Sequence, residues 1–91
     1  MTPIDIPEEV LSRELDGEAV LLDLRSGKYF GLNGTGAVIW AAMNDGLEPP
    51  QMAERLANGF DVTVEQARAD VDAFIESLVS RGLIRVRTVK A

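Results

Sequence analysis

Asp16 and Gly17 sit between two runs of apolar and polar residues. Both residue types tolerate positive φ, so the pair predicts a two-residue hairpin turn that makes its flanking runs antiparallel neighbours. In the run that follows, Val20, Leu22 and Leu24 alternate with Leu21 and Asp23. Arg25, Ser26, Gly27 and Lys28 supply a second turn, and a third run covers 29–32. Residues 8–32 therefore read as a three-stranded antiparallel meander. The arm before it, 1–7, is expected to be extended, with Pro3 and Pro7 in it.

The chain then changes period from two to about 3.6. Residues 33–46 read as a helix that Asn33 or Thr35 would cap, since either side-chain oxygen can accept from a free first-turn amide. Its body, 37–43, is apolar all round, as in a buried helix. Pro49 and Pro50 suit the start of a second helix over 49–58, with Met52, Ala53, Leu56 and Ala57 on one face and Gly59 as its stop. Thr63, Val64, Glu65 and Gln66 fit a capping box opening a third helix that runs to about Arg81, where Gly82 would supply a left-handed cap. The tail alternates Leu83, Arg85 and Arg87 against Ile84 and Val86, as a short strand or a loose end. The expectation is one α+β domain over 1–91: an arm (1–7), a sheet (8–32), three helices (33–82) and a tail (83–91).

Composition narrows the function. The 91 residues contain no cysteine and no histidine, which removes thiolate metal sites, the usual general base and every Ser-His or Cys-His arrangement. A non-catalytic protein without cofactor or metal is expected. The net charge of -6 opposes a phosphate backbone. No run of about 18 apolar residues could span a bilayer. The start, MTPIDIPEEV, lacks the basic and apolar regions of a secretory signal, so a cytoplasmic location is expected.

The stretch GKYFGLNGTGAVIW, 27–40, invites comparison with phosphate-binding loops. A dinucleotide fingerprint needs G-x-G-x-x-G in a parallel βαβ unit; Gly34 and Gly36 fill the first two places, but Ile39 stands in the third. A P-loop needs Gly-Lys-Ser/Thr at a helix start, whereas Gly27-Lys28 precedes Tyr29 and a strand. These glycines read as a tight strand-to-helix junction.

Two other features point to a binding surface. On the third helix Val64, Ala67, Val71, Phe74 and Leu78 form an inward face, and Ile75 and Val79 widen it to an arc of about 140°, with Arg68 and Asp72 at its rim. Such an arc is either extra burial of the last helix or an exposed recognition strip. In the sheet, the strand over 29–32 has no proline and only Lys28 as a charge at its start. Its free edge is either covered by the arm or tail, or open to another strand.

At this point AVLLDLRSGKYFGLNGTGAVIW, NDG, MAERLANGFDV and ARADVDAFIESLVSRGLI, taken in order and spacing, resemble the PqqD-like family. These are small winged-helix-like leader-peptide recognition modules, or RiPP recognition elements, of ribosomal peptide natural-product pathways. The resemblance spans roughly residues 10–85 and is greatest to the free-standing leader-binding protein of lasso-peptide biosynthesis. The quinone-cofactor member tends to carry Pro-Glu after its second strand, where this chain has Leu24-Arg25. The resemblance implies three strands followed by three helices. It also implies a leader peptide bound as an added antiparallel strand on the third strand, against the third helix. Carried onto this chain, it points to Tyr29, Phe30, Gly31 and Leu32, and to Arg68, Val71, Asp72, Ile75 and Val79. Asp70 matches a recurrent acid and is expected to be structural. The implied partners are the leader region of a precursor peptide, a separate cysteine leader protease and an ATP-dependent cyclase; no nucleic acid or membrane is expected.

Other readings compete. A PqqD-type chaperone of a quinone-cofactor precursor would use the same groove. A winged-helix DNA-binding protein is opposed by Glu65, Asp70, Asp72 and Glu76 on the third helix. A carrier protein would need a serine at a helix start, and Glu76-Ser77-Leu78 lies inside one.

Overall fold

The computed structural model describes residues 4–86. Expectations for 1–3 and for 87–91 lie outside the described residues. Strands β1 (Ile4–Asp5), β2 (Val10–Leu15), β3 (Glu18–Asp23) and β4 (Lys28–Asn33) precede helices α1 (Gly34–Asn44), α2 (Pro49–Gly59) and α3 (Val64–Ser80), and β5 (Arg85–Val86) follows.

The meander forms as its turns dictate, with sheet order β2-β3-β4, antiparallel throughout. Asp16 (φ 49°) and Gly17 (φ 77°) both adopt the left-handed region and set Leu15 opposite Glu18. At the second turn Gly27 is left-handed at φ 72°, and its N–H donates to the Asp23 carbonyl at 2.7 Å. The period-two pattern sends Ala19, Leu21 and Asp23 inward and leaves Val20 exposed and Leu22 half-buried. Leu24, at 55% exposure, lies in the turn rather than in a strand.

Glu48, not a Ser or Thr, occupies the N-cap of α2, and its N–H donates to Gln51 Oε1 at 2.9 Å. Asn33 occupies the N-cap of α1 but its side chain makes no capping bond, and Thr35 falls inside the helix. Only half of the expected capping box forms on α3. Thr63 Oγ1 accepts from Gln66 N–H at 3.1 Å, while Gln66 Nε2 donates to Asp70 Oδ1 at 3.0 Å instead of returning to Thr63. Val64, expected inward, is 49% exposed because it opens the helix before the first turn reaches the core. At the other end Gly82 (φ 74°) closes α3: its N–H donates to Val79 and that of Leu83 to Leu78. This wraps Leu83 onto Leu78, and both are buried.

Trp40, Ile39, Leu21, Met52, Leu56, Val71, Leu83 and Ile84 are the largest enclosed side chains, drawn from the sheet, all three helices and the tail. Each contributes about 1.5–3 kcal/mol relative to an exposed state. The tail therefore begins inside the core. Beyond Ile84, β5 pairs antiparallel with β1, setting Ile4 opposite Val86 and Asp5 opposite Arg85. Among the described residues, β1 and β5 pair with each other and not with the meander.

Candidate functional site

Among the described residues β4 pairs with β3 alone, so its other edge carries unpaired backbone donors and acceptors. Along β4 the pleat sends Lys28, Phe30 and Leu32 to the helix side and Tyr29 and Gly31 to the outer face. Tyr29 is 71% exposed, while Phe30 and Leu32 are half-buried.

Beside this edge lies a recess of about 340 Å³ between β4 and α3. Leu21, Leu78 and Leu83 line it with Tyr29, Phe30, Gly31 and Leu32 from the sheet and Phe74, Ser77 and Arg81 from α3. Gly36 lies at the upper end: a Cβ there would stand 3.4 Å from Phe74 Cε1 and 3.8 Å from Leu32 Cδ2. A side chain there would rest in ordinary contact with Phe74 and Leu32. Gly34, at φ 55°, makes the turn from strand into helix. Gly27 and Gly34 thus serve turns.

At the lower end the Arg81 guanidinium lies 5.5 Å from the Phe30 ring centroid, within cation–π range, and Arg81 Nε donates to Ser77 Oγ at 3.4 Å. A second recess of about 340 Å³ continues the cleft past Phe30 and Arg81 to Asp23, Ser26, Lys28 and Ser80. Asp23 is buried there. Its Oδ1 accepts from both Arg25 N–H and Arg25 Nε at 3.0 Å, while Arg25 Nη2 donates to the Gly82 carbonyl at 2.6 Å. The Arg25 guanidinium holds the Asp23 carboxyl below its ordinary value of 3.8, against the opposing effect of burial. This link ties the β3–β4 turn to the end of α3 and fixes the cleft's lower width.

The cleft gathers Tyr29, Phe30, Gly31 and Leu32, but not the helix residues read from the sequence. Val71 is fully enclosed in the core. Ile75 is half-buried, Val79 is 43% exposed, and Arg68 and Asp72 form an exposed pair at 3.1 Å. At about 100° per residue, Arg68, Asp72, Ile75 and Val79 lie about 100° or more round α3 from Phe74, Ser77 and Arg81. The apolar arc has two edges, and β4 lies along the one opposite to that chosen. The spacing Phe74, Ser77, Arg81 is itself helical, so the cleft-facing row was present in the sequence without a sign of which row meets the sheet.

Sequence reasoning also passed over the outer face of the meander. Leu11, Leu15, Val20 and Tyr29 are 49%, 64%, 46% and 71% exposed there. Leu22 joins them, in a cross-strand row with Leu11 and Tyr29. Arg13 and Glu18 lie on the same face, so its exposed side chains are apolar with a charge of each sign among them. The other free edge, on β2, borders a polar recess of Ser12, Glu14, Asn44 and Asp45 with Ala41. Among the described residues no group of acidic side chains could hold a metal ion, and no helix is long and apolar enough to cross a membrane.

No curated protein sequence matches the chain. Two solved structures share its fold closely. One, described as "TbiB1 in Complex with the TbiA(beta) Leader Peptide", has 28% identity over 93% of this chain and 99% of its own, at a TM-score of 0.85. The other, "Lasso peptide synthetase B1 complexed with the leader peptide", has 32% identity over 92% of this chain and 99% of its own, at a TM-score of 0.83. Residues 18–84 match the family described as "Coenzyme PQQ synthesis protein D (PqqD)". With most of the meander and all three helices inside that match, the chain belongs to the PqqD family, as a PqqD-like RiPP recognition element.

Proposed function

We propose that this protein binds the leader segment of a ribosomally made precursor peptide of the lasso type, without catalysing a reaction. The leader adds as an antiparallel strand to the open edge of β4 and lays alternate side chains into the recess against α3. Backbone pairing supplies affinity and the recess supplies selection. The observation that carries the reading is the unpaired β4 edge running beside a recess walled by Phe30, Leu32 and Phe74, with Ser77 and Arg81 at one end. The two similar structures, both complexes with leader peptides, support it. The binding residues are Tyr29, Phe30, Gly31 and Leu32 with Phe74, Ser77 and Arg81. Val71 supports the helix from beneath.

The bound leader is then presented to a separate cysteine leader protease, with an ATP-dependent cyclase as the later partner. The outer face, with its exposed apolar side chains, supports this step, because a fourth strand on β4 would leave that face open to a second protein. Calorimetry with the cognate leader tests the proposal: saturable binding at micromolar concentration is expected, and no heat at tens of micromolar contradicts it.

A further inference from the structure

The lower end of the cleft brings two cations to the border of one recess on an acidic protein. The chain carries 15 acidic and 9 basic residues. Arg25, Arg55 and Arg68 are paired with Asp23, Asp45 and Asp72, while Arg13 and Arg85, on other parts of the surface, have no ion-pair partner among the described residues. Arg81 and Lys28 border one recess, and neither has an ion-pair partner among the described residues. The acid in that recess, Asp23, is engaged by Arg25 and does not neutralise them. On the helix, Asp70 shares the cleft's side, but it is bonded to Gln66 and stands about 16 Å from Arg81 at 1.5 Å per residue.

The donors also have a direction. Arg81 lies over Phe30 and uses Nε on Ser77, which leaves both Nη groups for an acceptor entering beside β4. Lys28 projects from β4 on the same side as Phe30 and Leu32.

We infer that the peptide strand received by β4 carries an acidic side chain, Asp or Glu, held between Arg81 and Lys28 at the lower end of the cleft. The inference rests on the strand-addition reading and specifies its ligand. Residues opposite each other in an antiparallel pair share a face. Leader residues opposite Leu32, Phe30 and Lys28 therefore occur at i, i+2 and i+4. The first two meet Leu32, Phe74, Phe30 and Leu78 and are apolar; the third meets the two cations. The ligand class is an extended peptide of the pattern apolar-x-apolar-x-acidic, read from its N-terminal end.

Selection of random twelve-residue peptides displayed on phage against the immobilised protein tests this directly. Wild type is expected to enrich Asp or Glu two positions after an apolar residue. Replacing that acid by its amide in a selected peptide is expected to weaken binding about tenfold, with the loss reduced at high salt. The double variant Lys28→Glu with Arg81→Glu is expected to enrich Lys or Arg at the same position. Lys28→Gln and Arg81→Gln, each checked by circular dichroism, serve if the double variant does not fold; each is expected to relax the acid preference. Enrichment of apolar-x-apolar peptides without a charge preference overturns the inference and leaves strand addition standing, as does an acid preference that survives in the variants. No enriched peptide at all overturns both.

Discussion

Asp23 shows how one side chain sets the cleft. Its folded-state carboxyl titrates below 3.8 because Arg25 favours the charged form. The link therefore contributes fully above about pH 3.8 and is lost as pH falls through the lower folded value. Thermal midpoints measured between pH 2 and 5 should fall on acidification in the wild type, and Asp23→Asn should flatten that limb from an already lower midpoint. The aromatic wall gives a second prediction at this scale. Phe74→Ala removes a ring from the recess and should weaken leader binding at least tenfold, whereas Val79→Asp, on the far flank, should leave affinity within about twofold. Calorimetry on both variants separates the two edges of α3; the reverse order of effects would restore the flank that the sequence first suggested. Individual strand residues were legible because the pleat assigns a face to every second position. The helix partners were not, since Phe74 and Ile75 are both apolar neighbours and differ only in which side of the helix β4 occupies.

At the scale of elements, turn and cap chemistry carried most of the information. Asp16-Gly17, Gly27, the prolines of α2 and Gly82 each mark a boundary that the structure also has. Thr63 is the clearest start signal, and its hydroxyl does accept from Gln66 N–H. Thr63→Ala should destabilise the domain by about 1 kcal/mol in urea unfolding, with leader affinity in the folded protein unchanged. Gln66 was misread because a long amide near Asp70 has a second acceptor one turn away, and spacing alone does not choose between them. The pairing of β1 with β5 was not legible either. A strand of two residues has no period to detect, and its partner lies at the opposite end of the sequence. That pairing matters to the site, since it engages β1 with β5 and, among the described residues, leaves the edge of β4 without a partner strand.

The whole molecule combines an acidic surface, an open strand edge beside a recess of mixed lining, and an outer sheet face with exposed apolar side chains. The double variant Leu11→Glu with Leu15→Glu should bind leader as wild type does, yet slow leader removal by the protease severalfold, as followed by mass spectrometry of the precursor. An unchanged rate would show that the handover uses another surface. The central claim, that a peptide becomes the fourth strand of the meander at β4, is tested most directly by NMR on isotope-labelled protein saturated with unlabelled leader. Cross-strand Overhauser contacts between the leader backbone and residues 29–32, with slowed amide exchange along β4 and shifted Phe74 ring resonances, are predicted. Contacts confined to the β2 edge, or to the Arg68, Asp72 and Val79 flank of α3, would contradict it.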